Sequence, residues 1–447
     1  MAKDLTQGPL ASQIVRLAIP GLLSLLGITV NHFVDGIWVG RLGPEALAAI
    51  TPSSFIVWIL YSIVDIMPIG LVAIISRYYG EKNLTQASET SQKVIQLVFF
   101  ISIILSVCGW LFAKNAMELV GVSAEVVRLG SIYLMIISTC LPAIFLVETY
   151  SSIFRAVGDT IVPMRLILTA IIANIILDPL LIFGIGPFPE MGIAGAALAT
   201  AIGYYLSLGL AFVELNRGKL PFKIIKARPL PFDFPLLWRI AKIGLPISIS
   251  GIGFSIVYLA LVRIAAPFGD YVVASFRVGQ FIEAVSFMIC FGFGQATASM
   301  IGQNLGAKLT DRAEKSAQTA IGIVSGITIA FSFIFFFAAK PLVSIFSSDI
   351  QVATAAALYL KIIAISQLFM GLEIVYEGAF SGAGDTLPPM LISIIGTTLR
   401  IPLAIIFVGP LNWGYQGMYW AITISTVLKG VSIFIWFKLG RWKLKQV

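Results

Sequence analysis

The sequence predicts an all-α integral membrane protein with twelve transmembrane helices in two six-helix lobes. Its composition is the first reason, because 58% of the 447 residues are hydrophobic and only 12% are charged, whereas about 25% are charged in an ordinary soluble domain. The second reason is that apolar runs long enough to cross a bilayer recur along the whole chain. The third is that the second half repeats motifs of the first half in the same order.

Twelve apolar runs can be placed from hydropathy. Their approximate limits are 14–39, 47–77, 91–113, 125–150, 163–184, 192–214, 237–265, 272–299, 316–339, 355–378, 388–408 and 414–437. The stretch Met1–Gln13 is polar and enters the first run without a small-residue cleavage pattern. We therefore expect no removable signal peptide.

The formal net charge of +8 is distributed unevenly among the connections. Both termini and the even-numbered connections can be assigned to one side of the membrane and the odd-numbered connections to the other. Most of the 30 lysine and arginine residues then lie on the side of the termini, with clusters at 219–228 and 441–445. The positive-inside rule then predicts that both termini are cytoplasmic in a protein of the inner (plasma) membrane. This topology accounts for the charge without a nucleic-acid partner.

One connection has the properties of a linker. The segment 216–235 is basic, contains four prolines and includes no apolar run. Such a composition is typical of a loop that connects two folded units. We interpret it as a cytoplasmic linker between an N-terminal lobe, 1–215, and a C-terminal lobe, 236–447.

The two lobes are copies of each other. Phe154–Met164 aligns without gaps with Phe380–Met390, and the same displacement along the chain relates Pro20 to Pro246. Six runs is an even number, so both copies insert in the same orientation and the internal repeat is parallel. Each copy contains a Gly-Asp-Thr sequence, which we interpret as a turn between two helices, with glycine in the left-handed conformation and the next residue capping the second helix.

Two runs of the first half each contain an amide and a carboxylate four residues apart. They are Asn31 and Asp35 in the first run, and Asn174 and Asp178 in the fifth. This spacing places each pair on one face of a helix, with both carboxylates about 8–9 Å inside the same membrane surface. Intramembrane acids are costly and usually face a functional cavity, so we predict that these residues form the site.

The acidic pattern is not repeated in the second half. Leu261 aligns with Asp35, and Ala404 aligns with Asp178. Acids that only held helices together would be expected to have counterparts in a copied scaffold. The difference favours a functional site confined to the N-terminal lobe, and a structural hydrogen-bonded pair is the alternative.

Other polar residues and prolines within the runs are further candidates. Asp65 lies near a proline and is either a member of the site or a cap at a helix break. For Glu283 and Arg400 in the second lobe, we prefer a buried ion pair to a second cation-attracting site. Pro20 and Pro179 each remove a helical hydrogen bond and are candidate bending points.

Several motifs taken together resemble one known family. They are Val39–Gly43 followed by Ala46–Ala49, then Gly302–Ala307, and the paired Gly-Asp-Thr turns. On these motifs the chain resembles the MATE (multidrug and toxic compound extrusion) family over nearly its whole length. The resemblance implies a MATE/MOP-like fold with a central cleft, and export of bulky, often cationic, amphipathic drugs in exchange for H⁺ or Na⁺.

The resemblance also extends to individual residues. Asp35, Asn174 and Asp178 match the cation-site pattern of the prokaryotic DinF-like branch, and Thr200 and Tyr133 resemble further members of that cluster. Asp65 and Arg400 do not belong to that pattern. Because amide, carboxylate and hydroxyl oxygens suit either ion, both proton coupling and a Na⁺ site at Asp35, Asn174 and Asp178 stay open.

We therefore expect a cation-coupled multidrug efflux antiporter that works by alternating access. Its expected partners are lipophilic or cationic drugs and the membrane lipids, its expected state is monomeric, and no cofactor besides the coupling ion is expected. The alternatives are a lipid-linked oligosaccharide or lipid flippase of the same superfamily, an ion channel and a structural membrane protein. An enzyme is disfavoured, because the sequence has one histidine, no metal-ligand spacing and no nucleophile–base cluster.

Overall fold

The computed structural model describes residues 3–64, 66–120, 123–224, 230–347 and 349–445. Within these ranges the regular secondary structure is entirely helical. Twelve helical segments in them are long and apolar enough to cross a membrane. The predicted all-α class and the predicted number of spans are confirmed.

The first compact unit comprises Ile19–Ala241 and the N-terminal piece that ends at Asp4. The helices that build it are the part of α1 (Leu10–Gly40) that follows Ala18, and α2 (Pro44–Val64), α3 (Ile66–Gly80), α4 (Leu84–Val120), α5 (Ala124–Ala156), α6 (Ile161–Phe183) and α7 (Ile193–Asn216). Helix α5 lies at the centre of this unit, because 67% of its most apolar stretch is buried, against 17% for α4.

Helices α6 and α7 approach each other closely because α7 has glycines on one face. A β-carbon at Gly195 would come within 2.5 Å of the carbonyl oxygen of Leu181, and one at Gly203 within 2.6 Å of that of Ala170. Small residues at this spacing let membrane helices pack backbone to backbone. Polar side chains on the facing surfaces of α6 and α7 can therefore reach one another.

The second compact unit comprises Leu5–Ala18 and Lys242–Val447. Its main helices are α8 (Phe234–Ala265), α9 (Asp270–Gly306), α10 (Thr310–Phe337), α11 (Ala339–Ser344), α12 (Ile350–Ile363), α13 (Gln367–Ala383), α14 (Leu387–Thr398), α15 (Arg400–Val408) and α16 (Gln416–Lys438). Helices α12 and α13 together form one span, and so do α14 and α15.

The N-terminal segment differs from the expected division of the lobes, because Leu5–Ala18 packs with the second unit. The backbone N–H of Leu5 donates to Gln303 Oε1 at 3.0 Å, and its carbonyl accepts from Asn304 Nδ2 at 3.3 Å. The Leu5 side chain is fully buried. Hydropathy gave no sign of this, since the segment is polar and its partners belong to the other half of the chain.

The segment 216–235, expected to be a linker between the units, belongs to the first unit, which continues to Ala241. Asp233 accepts a hydrogen bond from Lys93 on α4 at 2.9 Å and caps the start of α8 by accepting from the backbone N–H of Leu236 at 3.1 Å. The Lys93 ammonium, followed by this cap, lowers the pKa of Asp233. These contacts attach the end of the linker to the first unit.

Turns at matching positions show the internal repeat directly. Lys82 and Lys308 have φ angles of 60° and 61°, which are unusual for residues other than glycine. In both turns the following backbone N–H donates to a carbonyl five residues earlier at 2.8 Å. The two halves therefore share even a strained backbone conformation.

The glycines of the two Gly-Asp-Thr turns have the interpreted conformation. Gly158 and Gly384 have φ angles of 77° and 75°, and each ends a helix in the left-handed conformation. Asp159 Oδ1 then accepts hydrogen bonds from the backbone N–H groups of Ile161 and Val162 at 3.0 and 3.2 Å. In the first copy, the aspartate is thus the cap of the following helix.

Candidate functional site

The two amide–carboxylate pairs each form a hydrogen bond along their own helix. On α1, Asn31 Nδ2 donates to Asp35 Oδ2 at 3.1 Å. On α6, Asn174 Nδ2 donates to Asp178 Oδ1 at 3.1 Å. Since one helical turn separates the members of each pair, this contact follows from the sequence spacing.

The tertiary structure brings the two carboxyl groups together. The side chains of Asp35 and Asp178 are close enough to interact with each other. Only 1% of Asp178 and 2% of Asn174 is exposed, and Asp35 is half-buried. Two neighbouring carboxylates repel each other when both are ionised, and a proton or cation shared between them would relieve this repulsion.

A glycine on α1 faces side chains of α6. A β-carbon at Gly27 would lie 3.0 Å from Ile171 Cδ1 and 3.2 Å from Leu168 Cδ2. Gly27 is one turn before Asn31, so both lie on the same face of α1. A larger residue at Gly27 would require these two side chains of α6 to shift.

Thr200 extends the cluster to a third helix. Asn174 Nδ2 also donates to Thr200 Oγ1 at 3.2 Å, and the Thr200 hydroxyl donates to the carbonyl of Ala196 at 3.2 Å. Asn174 therefore connects the carboxylate of Asp178 on α6 with the hydroxyl of Thr200 on α7. This contact depends on the close packing of α6 against α7.

Four oxygen atoms of the cluster are buried without a hydrogen-bond partner among the described residues. They are Oδ1 of Asn31, Oδ1 of Asp35, Oδ1 of Asn174 and Oδ2 of Asp178. Buried polar atoms are normally satisfied, and oxygen ligands suit hard cations. The donor set therefore fits a bound proton or a Na⁺ ion.

Tyrosines from two helices lie within electrostatic range of the carboxylates. The Tyr133 hydroxyl on α5 interacts electrostatically with both Asp35 and Asp178. Tyr204 on α7 interacts with Asp35 and with Tyr61 on α2, which lies further from the carboxylates. Tyr133 was predicted, whereas Tyr61 and Tyr204 were missed.

A weak signal for Tyr204 was present in the sequence. It follows Thr200 by four residues and so lies on the same face of α7. For Tyr61, nothing in the sequence marked its helix as a neighbour of the site. His32 is exposed and interacts with Asp35 only electrostatically.

Three other predicted residues have different outcomes. Asp65 lies outside the described residues. Pro20 and Pro179 lie inside α1 and α6, which continue beyond them to Gly40 and Phe183. Neither proline ends its helix, and bending at these positions stays a prediction.

The preferred ion pair between Glu283 and Arg400 was wrong. Glu283 accepts hydrogen bonds from the Tyr359 hydroxyl at 2.6 Å and from Gln367 at 3.4 Å. Arg400 donates to the hydroxyls of Ser425 and Thr426, and it affects Glu283 only through space. Neutral donors and acceptors supplied by the packed helices take the place of the expected partner.

The buried ion pair of the second unit is instead formed by Lys429 and Glu373, which lie 2.7 Å apart. Lys429 on α16 and Glu373 on α13 are 5% and 9% exposed. One buried acid of this unit is thus paired with a buried base. The acidic pair of the first unit has no such cationic partner among its described contacts.

This fold and site define a duplicated, multi-pass helical membrane transporter. The sequence model of the MatE family matches residues 20–180 and 246–406, two segments related by the same displacement as the internal repeat. The chain belongs to the MatE family. It is a transporter and not an enzyme, as the sequence predicted.

Known proteins resemble the chain over nearly its full length. A FAD transporter of Shewanella oneidensis is 27% identical, covering 96% of this chain and 95% of its own. A probable multidrug resistance protein, NorM of Thermotoga maritima, is 26% identical, covering 97% and 94%. A solved MOP superfamily transporter from Pyrococcus furiosus has a TM-score of 0.89 at 24% identity, covering 99% and 98%, and this match supports the fold alone.

Proposed function

We propose that the protein is a multidrug efflux antiporter that couples export to the entry of H⁺ or Na⁺ at Asp35 and Asp178. The observation that carries the proposal is the direct approach of these two carboxyl groups within the membrane-spanning part of the first unit. Names of relatives support the substrate class, because NorM of Thermotoga maritima is described as a probable multidrug resistance protein.

The physical basis of coupling is the charge of the pair. When both carboxylates are ionised, their negative charges repel each other and attract a cation. When one proton or Na⁺ is bound, that repulsion is relieved. Each elementary charge that moves inward across the membrane gains about 2.3 kcal/mol per 100 mV. An exchange cycle can use this free energy to drive a drug outward.

Asn174 and Thr200 have supporting roles in the proposal. Their contacts hold the Asp178 carboxylate in place and supply further oxygen ligands. Tyr133 lies within electrostatic range of both carboxylates. The cycle operates by alternating access in a monomer of the plasma membrane, with both termini in the cytoplasm.

A lipid-linked oligosaccharide flippase is the alternative function. Its pyrophosphate head group would need several available cations. In the described part of the second unit, Lys429 is already paired with Glu373, and Arg400 is a single buried cation with a free donor. One such cation is fewer than a pyrophosphate head group needs, and this observation disfavours the alternative.

The deciding experiment is drug efflux from proteoliposomes with pH and Na⁺ gradients imposed separately. We expect one of the two gradients to drive export in the wild-type protein. Efflux that is independent of both gradients would refute cation coupling, and movement of a lipid-linked oligosaccharide without drug export would favour the flippase.

A further inference from the structure

The second unit contains a buried cation, Arg400, whose hydrogen-bond partners are neutral. Only 3% of the residue is exposed, and its Nε and Nη2 atoms donate to the hydroxyls of Ser425 and Thr426 at 2.8 and 3.0 Å. Its Nη1 atom is buried without an acceptor among the described residues. A guanidinium nitrogen left in this state is costly, which indicates a ligand that accepts from it.

Acidic residues of the same unit are already engaged. Glu283 lies within electrostatic range of Arg400, but both of its oxygens accept other hydrogen bonds. Glu373 is paired with Lys429. The negative charge of Glu283 therefore partly offsets the positive charge of Arg400, but Glu283 accepts no hydrogen bond from Nη1.

Arg400 lies beside an interrupted hydrogen bond of a membrane-spanning helix. Helix α14 ends at Thr398 and α15 begins at Arg400, and Leu399 between them keeps right-handed helical dihedral angles. Pro402 has no N–H, so it cannot donate to the carbonyl of Thr398. The helix therefore continues past Arg400 with one backbone hydrogen bond missing.

Aromatic rings of α8 form a stack beside the guanidinium. Its central carbon lies 5.3 Å from the ring centre of Tyr258 and 5.9 Å from that of Phe254. Phe254 and Tyr258 are 4.3 Å apart, and Tyr258 stacks on Phe276 at 6.0 Å. Because 37% of Phe254 is exposed, the stack can be reached from outside the unit.

We propose that Arg400, Phe254 and Tyr258 form a subsite that binds an aromatic substrate through its carboxylate or phosphate group. The anion accepts from Nη1 in a charge-assisted hydrogen bond, while Ser425 and Thr426 hold the rest of the guanidinium. The rings of α8 stack against the aromatic part of the substrate. The inference rests on the proposed export function and extends its substrates from cations to amphipathic acids.

The test measures equilibrium binding of FMN and riboflavin, which share a ring system and differ by one phosphate. The full-length protein is reconstituted in phosphatidylcholine nanodiscs, and binding is followed by flavin fluorescence anisotropy. A charged hydrogen bond is worth about 1.5–3 kcal/mol, so we expect FMN to bind about 10- to 100-fold more tightly than riboflavin.

Two variants of Arg400 distinguish a loss of charge from a disturbance of the fold, and a variant of Arg263 is the control. Arg400→Gln is expected to lower FMN affinity to that of riboflavin and to leave riboflavin binding unchanged, whereas Arg400→Lys should keep part of the preference. Arg263→Gln removes an exposed arginine of α8 and should change neither affinity. Equal binding of both flavins to the wild-type protein, or equal weakening of both by Arg400→Gln, would overturn the subsite.

A phospholipid head group offers the same phosphate chemistry as FMN. The binding measurements are therefore repeated in phosphatidylglycerol nanodiscs. Persistence of the FMN preference supports a substrate subsite, and its disappearance assigns Arg400 to a lipid and overturns the proposal. No ion gradient is used, so failure here would leave cation-coupled export intact, and failure of coupled export would leave the binding result intact.

Discussion

Asn174 and Arg400 occupy equivalent positions of the internal repeat, yet their side chains make opposite kinds of contact. Asn174 is hydrogen-bonded to a carboxylate, and Arg400 is hydrogen-bonded to two hydroxyls. One duplicated scaffold therefore holds an acidic cluster in its first unit and a buried cation in its second. This divergence gives the equivalent positions of the two units opposite charge.

Replacing either acid of the first unit by its amide should abolish coupling. Asp35→Asn and Asp178→Asn keep the shape of the side chain but prevent the change of charge, so gradient-driven drug export should fall by about 100-fold. Thermal unfolding in detergent should be unchanged or shifted upward, because the repulsion between the acids is removed. Asp270→Asn, at an exposed carboxylate of α9, is the matched control, and resistance that persists in both site variants would contradict the assignment.

Removing the hydroxyl of Thr200 should distinguish Na⁺ from H⁺ as the coupling ion. Thr200→Val keeps the volume but removes an oxygen that accepts from Asn174. If Na⁺ is the coupling ion, the Na⁺ concentration for half-maximal export should rise about tenfold, the effect of one lost ligand worth about 1.4 kcal/mol. Thr354→Val, whose exposed hydroxyl bonds only to its own helix, is the control. An unchanged Na⁺ dependence would exclude Thr200 as a ligand.

A larger residue at Gly203 should separate α6 from α7. Gly203→Val places methyl groups against the carbonyl of Ala170, and overpacking of this kind costs about 1–3 kcal/mol. The unfolding temperature in detergent should fall, and export should be impaired because Asn174 and Thr200 move apart. At Gly209 on the same helix, an added β-carbon meets nothing within 4 Å. Gly209→Val should therefore be neutral, and equal effects of both variants would refute the packing argument.

Breaking the buried ion pair of the second unit should destabilise the protein strongly. Lys429→Met leaves the Glu373 carboxylate buried without its partner, at a cost of about 3–5 kcal/mol. The double variant Lys429→Met/Glu373→Leu removes both charges and should recover most of the lost stability. Chemical denaturation in detergent measures both changes, and a double variant as unstable as the single one would show that the ion pair is not the cause.

Much of the candidate site could be predicted because helices are regular. A spacing of four residues places Asn31 beside Asp35, and Asn174 beside Asp178, on any α-helix. Counting from the helix ends placed both carboxylates at one depth. That the two carboxylates meet requires these faces of α1 and α6 to point toward each other, which helical spacing does not specify.

Residues that reach the site from other helices could not be predicted in this way. Tyr61 and Tyr204 belong to α2 and α7, and nothing local in the sequence specifies which helix faces which. The expected pairing of Glu283 with Arg400 failed for the same reason. Tyr359 and Ser425 approach these charges only through helix packing.

The sequence by itself determined the membrane class, the twelve spans, the parallel repeat and the two acidic motifs, because hydropathy and helical spacing are local properties of the chain. The tertiary structure decided which polar groups satisfy each buried charge and that Leu5–Ala18 packs with the second unit. Those outcomes depend on contacts between residues that are far apart in the sequence, and their geometry exists only after the helices have packed.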